Sequence, residues 1–271
     1  MNAQIALALA SICTVSLAAV RSGKAEADWI GSAKSYEAGM PVQTALRLVV
    51  DEGWHNYWLN PGEGGMKISA VWDLPAGWTA GELEHPVPKR FMTGDLPGFG
   101  YEGTVVFPVK FTPPAGFAGE AKLKGKISWL TCNDDKCIPG NAEVELSLVA
   151  GRPVATDEAK LIDEACLKVP RPNPEIKMTV AEFPKTLTLT LSSATTKPFS
   201  PADYEFFPAT PQAVDAAAKF EFTNVGGKWT ADVPKSEYAT QAIQQLTLIL
   251  AGKGKQPPLT VTWTAEPAKS Q

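Results

Sequence analysis

Histidine is scarce in this 271-residue chain, with only His55 and His85, and cysteine is limited to Cys13, Cys132, Cys137 and Cys166. Four cysteines and two distant histidines leave no cluster with the ligand spacing of a zinc site. Positive charge is also short. Lys and Arg number 25 against 29 Asp and Glu, a formal net charge of −4 that argues against a nucleic-acid partner. No glycine-rich segment opens a helical pattern; Gly62, Gly64 and Gly65 follow a proline and read as a turn, not as a phosphate cradle. Acid–base carboxylate pairs and nucleophile elbows are absent as well. Beyond residue 20 there is no apolar run long enough to cross a membrane.

Ile5 to Val20 is the one long uncharged stretch, followed by Arg21, Lys24 and the small-x-small triplet Ala25, Glu26, Ala27. The pattern predicts a secretory signal peptide over residues 1–27, cleaved near Ala27, because the run is shorter than the roughly 20 residues a spanning helix needs. Cys13 would leave with it, and losing two basic and one acidic side chain moves the net charge from −4 to −5. Export makes a disulfide chemically permissible.

The rest of the chain alternates. Val42, Thr44, Leu46, Leu48 and Val50 are spaced by two, as are Val105 to Phe111, Leu123 to Trp129 and Val144 to Leu148, which predicts half-buried strands. Turn clusters at 60–65, 74–77 and 113–116 separate them at the spacing of a β-sandwich covering 28–150. Ile162, Cys166 and Val169 fall at helical spacing before Pro170, Pro172 and Pro174, giving a helical, proline-rich linker over 151–174. Alternation resumes in Leu187 to Leu191, Phe220 with Phe222, Trp229 to Val233, Leu246 to Leu250 and Leu259 to Trp263. A second sandwich with a polar tail therefore fits 175–271. Many strands and almost no helix make the predicted fold class all-β, two sandwich domains rather than any βαβ arrangement.

Cys132 and Cys137 have four residues between them, where a strand-like run breaks into a polar turn. Closing so short a loop contributes only about 2 kcal/mol in the chain-entropy account, against nearly 5 for a loop of about 100 residues. Stability is thus a weak reason for a bond there, and thiol–disulfide exchange a stronger one. If Leu123 to Trp129 points inward at odd positions, Cys132 falls with Lys122, Lys124 and Lys126 on the outer face. Its sulfur is then expected to be reachable unless a bulge intervenes near Leu130. A four-residue turn brings the pair to the Cα separation of about 5.5 Å that a disulfide needs. Asp134 and Asp135 disfavour a thiolate and Lys136 favours one, so no deeply lowered thiol pKa is read.

Three segments occur in one order: Trp54, His55, Tyr57, Trp58, Asn60, Pro61 and Gly62; then Gly98, Phe99, Gly100, Tyr101, Glu102 and Gly103; then Trp129, Cys132, Cys137, Ile138 and Pro139. Together they resemble the N-terminal periplasmic domain of the DsbD thiol:disulfide interchange family over about Trp29 to Ala150. The two-domain layout is similar to the periplasmic regions of its copper-sensitivity suppressor (ScsB) branch. The resemblance implies an immunoglobulin-like first domain with Cys132 and Cys137 as the redox pair, shielded by a cap loop of Phe99, Gly100 and Tyr101. It implies a periplasmic protein that takes electrons from a membrane-embedded thiol transporter, here a separate chain, and hands them to oxidised thioredoxin-like proteins. Cys137 is the candidate first attacker on the same analogy, and neither a cofactor nor a metal is expected.

Blander readings stand beside these. The cysteine pair is also what a structural clip on a hairpin looks like, in a non-catalytic periplasmic binding module. Met66 or Met92 could join it in a soft copper(I) site. Phe99 and Tyr101 read equally as aromatics covering a sandwich end, and Trp54, His55, Tyr57 and Trp58 as packing residues. Cys166 reads as a small buried hydrophobe, or as a third exchange site.

Overall fold

The computed structural model describes residues 19–196 and 198–266, so most of the expected signal segment, with Cys13, and the end of the polar tail lie outside the described residues. The fold is all-β, with two immunoglobulin-like sandwiches. In chain order the first contains β1 (Val20–Ser22), β2 (Ala25–Gly31), β3 (Ser35–Tyr36), β4 (Val42–Val50), β5 (His55–Gly62) and β6 (Ser69–Asp73). It continues with β7 (Thr79–Ala80), β8 (Lys89–Thr93), β9 (Leu96–Glu102), β10 (Thr104–Thr112), β11 (Glu120–Cys132) and β12 (Cys137–Ala150). One sheet runs β1-β2-β4-β10-β7. The other runs β3-β12-β11-β5-β9-β8, with β6 beside β5 on the same edge of β11.

Period-two patterning decides which side chains these sheets bury. In β11, Ala121, Leu123, Ile127 and Trp129 face the core while Lys122, Lys124 and Lys126 face water. Trp29 packs across the sandwich on Trp72 and within its own sheet on Phe111, with ring centroids 4.7 and 4.9 Å apart. Its indole N–H donates to Thr44 Oγ1 at 2.9 Å, and that hydroxyl donates to the Val109 carbonyl at 3.0 Å, so the polar tip is not orphaned in the core.

Helix α1 (Ala159–Leu167) lies on the outer face of the first sheet, where Ile162 and Ala165 meet Ile30, Ala45 and Val106. Arg47 ties the start of the helix to the sheet, reaching Glu158 at 3.1 Å and Asp28 at 2.5 Å. The second sandwich comprises β13 (Arg171–Pro172), β14 (Ile176–Glu182), β15 (Thr186–Ser193) and β16 (Tyr204–Pro208), then β17 (Thr223–Val225), β18 (Lys228–Pro234), β19 (Gln245–Gly252) and β20 (Leu259–Thr264). Its sheets are β13-β20-β19-β16 and β14-β15-β18-β17. Leu187, Leu189 and Leu191 of β15 share one core with Leu246, Leu248 and Leu250 of β19. Phe220 and Phe222, expected in a strand, sit instead in irregular backbone ahead of β17, where both rings pack on Phe206.

The domains share apolar contacts and polar ties. Phe207, Ala209 and Ile249 of the second domain join the core of the first. Asn60 Nδ2 donates to the buried Pro208 carbonyl at 2.8 Å. Arg90 donates to the carbonyls of Phe206 and Ala216 at 2.8 and 2.9 Å while its guanidinium lies over the rings of Phe99 and Phe207. Beside this contact is a cleft of about 720 Å³, lined in part by Trp58, Trp72, His85, Arg171 and Ile249. His85 keeps slight solvent contact, but its Nδ1 is buried without a hydrogen-bond partner.

The cut expected near Ala27 falls in the middle of β2. Ala25 and Ala27 have no exposed surface, and β2 pairs with β4 from Ala25↔Val50 to Gly31↔Thr44. The small side chains that read as a cleavage triplet are inward-facing residues of a central strand. A chain starting at Asp28 loses β1 and half of β2. It should be less stable than one starting at Ala19 by about 3 kcal/mol or more, at about 1 kcal/mol per ladder hydrogen bond, measured by denaturant unfolding.

His85 gives a second expectation. Burial, helped by Lys67, pushes its pKa from 6.5 down to about 4. The unfolded chain therefore takes up a proton below about 6.5 that the folded chain refuses until about pH 4. Stability is whole above that window and falls by up to about 3 kcal/mol as pH drops through it. Urea unfolding at pH 7 and pH 4.5 should show the loss, and His85→Gln should reduce it.

Candidate functional site

The β11–β12 hairpin pairs without interruption from Glu120↔Val149 to Cys132↔Cys137, so no bulge intervenes at Leu130. Asn133 makes the turn: its side-chain oxygen accepts the backbone N–H groups of Asp135 and Lys136 at 3.1 and 3.0 Å, and its own N–H donates to the Lys136 carbonyl. The turn thereby holds the two cysteines directly opposite each other, with Cα atoms 4.1 Å apart, joined in a disulfide.

Cys132 has the outward parity expected from the lysines before it, yet its exposure is 0 %, whereas Cys137 is exposed. Its burial has a local cause. At the end of β11 the sheet continues into β5, where Cys132 is paired with His55, and into β9, where His55 is paired with Glu102. Residues directly opposed across antiparallel strands share a face. Cys137, Cys132, His55 and Glu102 thus form one row on the outer side of the sheet, followed on β5 by Tyr57. Over this row lies Phe91 of β8, 3.8 Å from the His55 ring and edge-on to Tyr57. Thr93 at the end of β8 completes the cover, with Oγ1 3.0 Å from His55 Nε2 and 3.4 Å from the Tyr57 hydroxyl.

Glycine is required beneath Phe91. A Cβ added at Gly98 or Gly100 would stand 2.7 or 2.8 Å from the phenylalanine ring. The alternation Gly98, Phe99, Gly100, Tyr101 therefore leaves a floor on the outer face and sends both aromatics the other way. Phe99 has no exposure and packs on Trp58, Phe207 and Arg90; Tyr101 donates to the Pro86 carbonyl at 2.8 Å and packs on Phe107. Of the three expected cap residues only Gly100 lies on the disulfide's face. Phe99 and Tyr101 are strand residues of the core, and the ring on the disulfide's face is Phe91. The missed residues, His55, Tyr57, Phe91 and Thr93, carry a parity signal: His55 and Tyr57 alternate on β5 as Phe91 and Thr93 do on β8.

Burial lowers the His55 pKa, with Glu102 and then Asp134 pulling it back up, and burial raises that of Tyr57. Glu102 is itself paired with Lys89 at 3.6 Å. Met66 and Met92 are both exposed, and among the described residues no group of three or more His, Cys, Asp and Glu could hold a metal ion. Cys166 is a free, half-buried thiol on α1 whose pKa is raised, first by burial and then by Glu84. Neither Cys132 nor Cys137 lines the clefts of about 720, 440, 340 and 250 Å³ found among the described residues.

Residues 28–148 match the family described as "Thiol:disulfide interchange protein DsbD, N-terminal". Among solved structures, the N-terminal periplasmic domain of ScsB from Proteus mirabilis aligns over 89% of this chain and 91% of its own, at 21% identity and a TM-score of 0.62. That likeness establishes the two-sandwich fold. Spo0M, a sporulation control protein from Bacillus subtilis, aligns over 89% of this chain and 91% of its own at 9% identity, with a TM-score of only 0.24. No curated protein matches the chain.

Phe91→Ala should speed alkylation of the reduced cysteine pair about tenfold or more, the effect of removing an opening cost of about 1.4 kcal/mol. Phe99→Ala should instead destabilise the fold by about 3–5 kcal/mol and leave the alkylation rate, taken well below the melting temperature, unchanged. Thiol-labelling kinetics and thermal unfolding of the two variants check both.

Proposed function

We propose, for a chain whose residues 28–148 match the DsbD N-terminal family, that it passes reducing equivalents by dithiol–disulfide exchange through Cys132 and Cys137. The observation that carries this is the asymmetry of the pair: Cys137 is exposed at the tip of a hairpin while Cys132 is buried beside it. An incoming thiolate meets Cys137 Sγ first, and Cys132 is the leaving sulfur. In the opposite direction the Cys137 thiolate attacks a partner's disulfide, forming a mixed disulfide. Cys132 then attacks Cys137, restoring the internal bond and releasing the partner as a dithiol. Two electrons move in each cycle.

The donor in this reading is a membrane-embedded thiol transporter, and the acceptors are oxidised thioredoxin-like proteins. The setting is the periplasm, as named for the ScsB domain. A stable disulfide fits such a compartment. Among the described residues no helix is long and apolar enough to cross a membrane. A permanent clip in a binding module is the competing reading, favoured by the burial of Cys132 in an unbroken ladder.

Two measurements separate the readings. Cys132→Ala keeps the exposed attacker and removes the resolving thiol, so it should trap an intermolecular disulfide with an oxidised thioredoxin-like protein. The double variant should trap none. Against glutathione the pair should titrate above roughly −300 mV; a lower potential, with no adduct from either single variant, would identify a clip.

A further inference from the structure

Breaking the disulfide creates a proton problem at its buried end. Cys132 has no exposed surface, and when the bond opens its sulfur leaves as an anion. The charges felt at His55, its ladder partner, are Glu102 from β9 and Asp134 from the turn, both carboxylates; Lys89 pairs with Glu102, and burial raises the pKa of the Tyr57 phenol. A buried thiolate near two carboxylates is unfavourable. The side chain across the ladder from it is His55, and directly opposed residues keep their Cβ atoms roughly 5 Å apart on one face. The imidazole is also tied to the cover. Phe91 stacks on it and Thr93 engages its Nε2, and both belong to the β8–β9 hairpin.

We propose that His55 gives Cys132 its proton on reduction and takes it back on oxidation. The inference rests on the exchange reading. When a dithiol reductant attacks, its thiolate bonds to Cys137 Sγ, the Cys132–Cys137 bond breaks, and the electron pair goes to Cys132 Sγ, which accepts the proton of the His55 imidazolium. The reductant's second thiolate then attacks its own half of the mixed disulfide and leaves as a cyclic disulfide, and Cys137 keeps the second pair. Two electrons enter, and the proton lost by His55 is replaced from water. On oxidation the neutral imidazole accepts the Cys132 proton as that sulfur attacks the mixed disulfide.

The test is the rate of reduction of the oxidised protein by dithiothreitol between pH 5.5 and 8, corrected for the reductant's own thiolate fraction. Wild type should slow by about tenfold as pH rises and the imidazolium is lost, while His55→Phe, which keeps an aromatic ring under Phe91, should be slow and flat throughout. Matching profiles would overturn the proposal. Should the variant fail to fold, the His55 ring titration followed by NMR in wild type serves instead: its midpoint must differ between the oxidised and reduced forms, and equal midpoints would refute the coupling. A mixed disulfide trapped by Cys132→Ala together with matching pH profiles would remove His55 alone. No adduct with any thioredoxin-like partner would remove the exchange reading beneath it.

Discussion

Everything at the disulfide depends on the unbroken ladder between β11 and β12. Because each residue from Glu120 to Cys132 has a fixed partner, the two cysteines are opposed by register and not by a flexible loop. The same ladder fixes parity, so Cys132 faces outward with the lysines that precede it. The sheet then supplies what the hairpin alone lacks. β5 adds His55 to the cysteine row, and β9 contributes two glycines low enough for a ring to lie across them. A one-residue slip would send Cys132 into the core and Thr131 outward.

The site is built from opposed faces of single strands. β9 sends Phe99 and Tyr101 into the sandwich and leaves Gly98 and Gly100 on the outer side; β8 sends Arg90 toward the second domain and Phe91 over His55. Core packing and the cover of the disulfide are therefore set by neighbouring residues of the same strands. That is why the aromatic pair in β9 resembles a cap in sequence and serves as core in three dimensions.

Much of this was legible from residue spacing. The alternating runs in β4, β10, β11 and β15 mark inward faces that the structure buries, and the cysteine pair at a polar turn marks the hairpin tip. Two features were not, for physical reasons. The triplet of Ala25, Glu26 and Ala27 is the same string whether its alanines are small for a peptidase or small for a crowded interior, and its pairing with β4 is not written in it. The burial of Cys132 is set where β11 meets β5, far back in the chain, which local alternation does not reveal. Phe220 and Phe222 show the converse: apolar alternation there serves ring packing on Phe206 without a ladder.

Arg90 has a mechanical consequence. Its guanidinium grips two main-chain carbonyls of the second domain, one residue before the ring that sits on His55. Strand β8 is thus a beam anchored on the second domain at Arg90 and laddered to β9 along its length, so the cover over His55 and the domain contact share one strand. The second sandwich is the abutment for that beam. A shift of that domain reaches Phe91 across a single peptide bond.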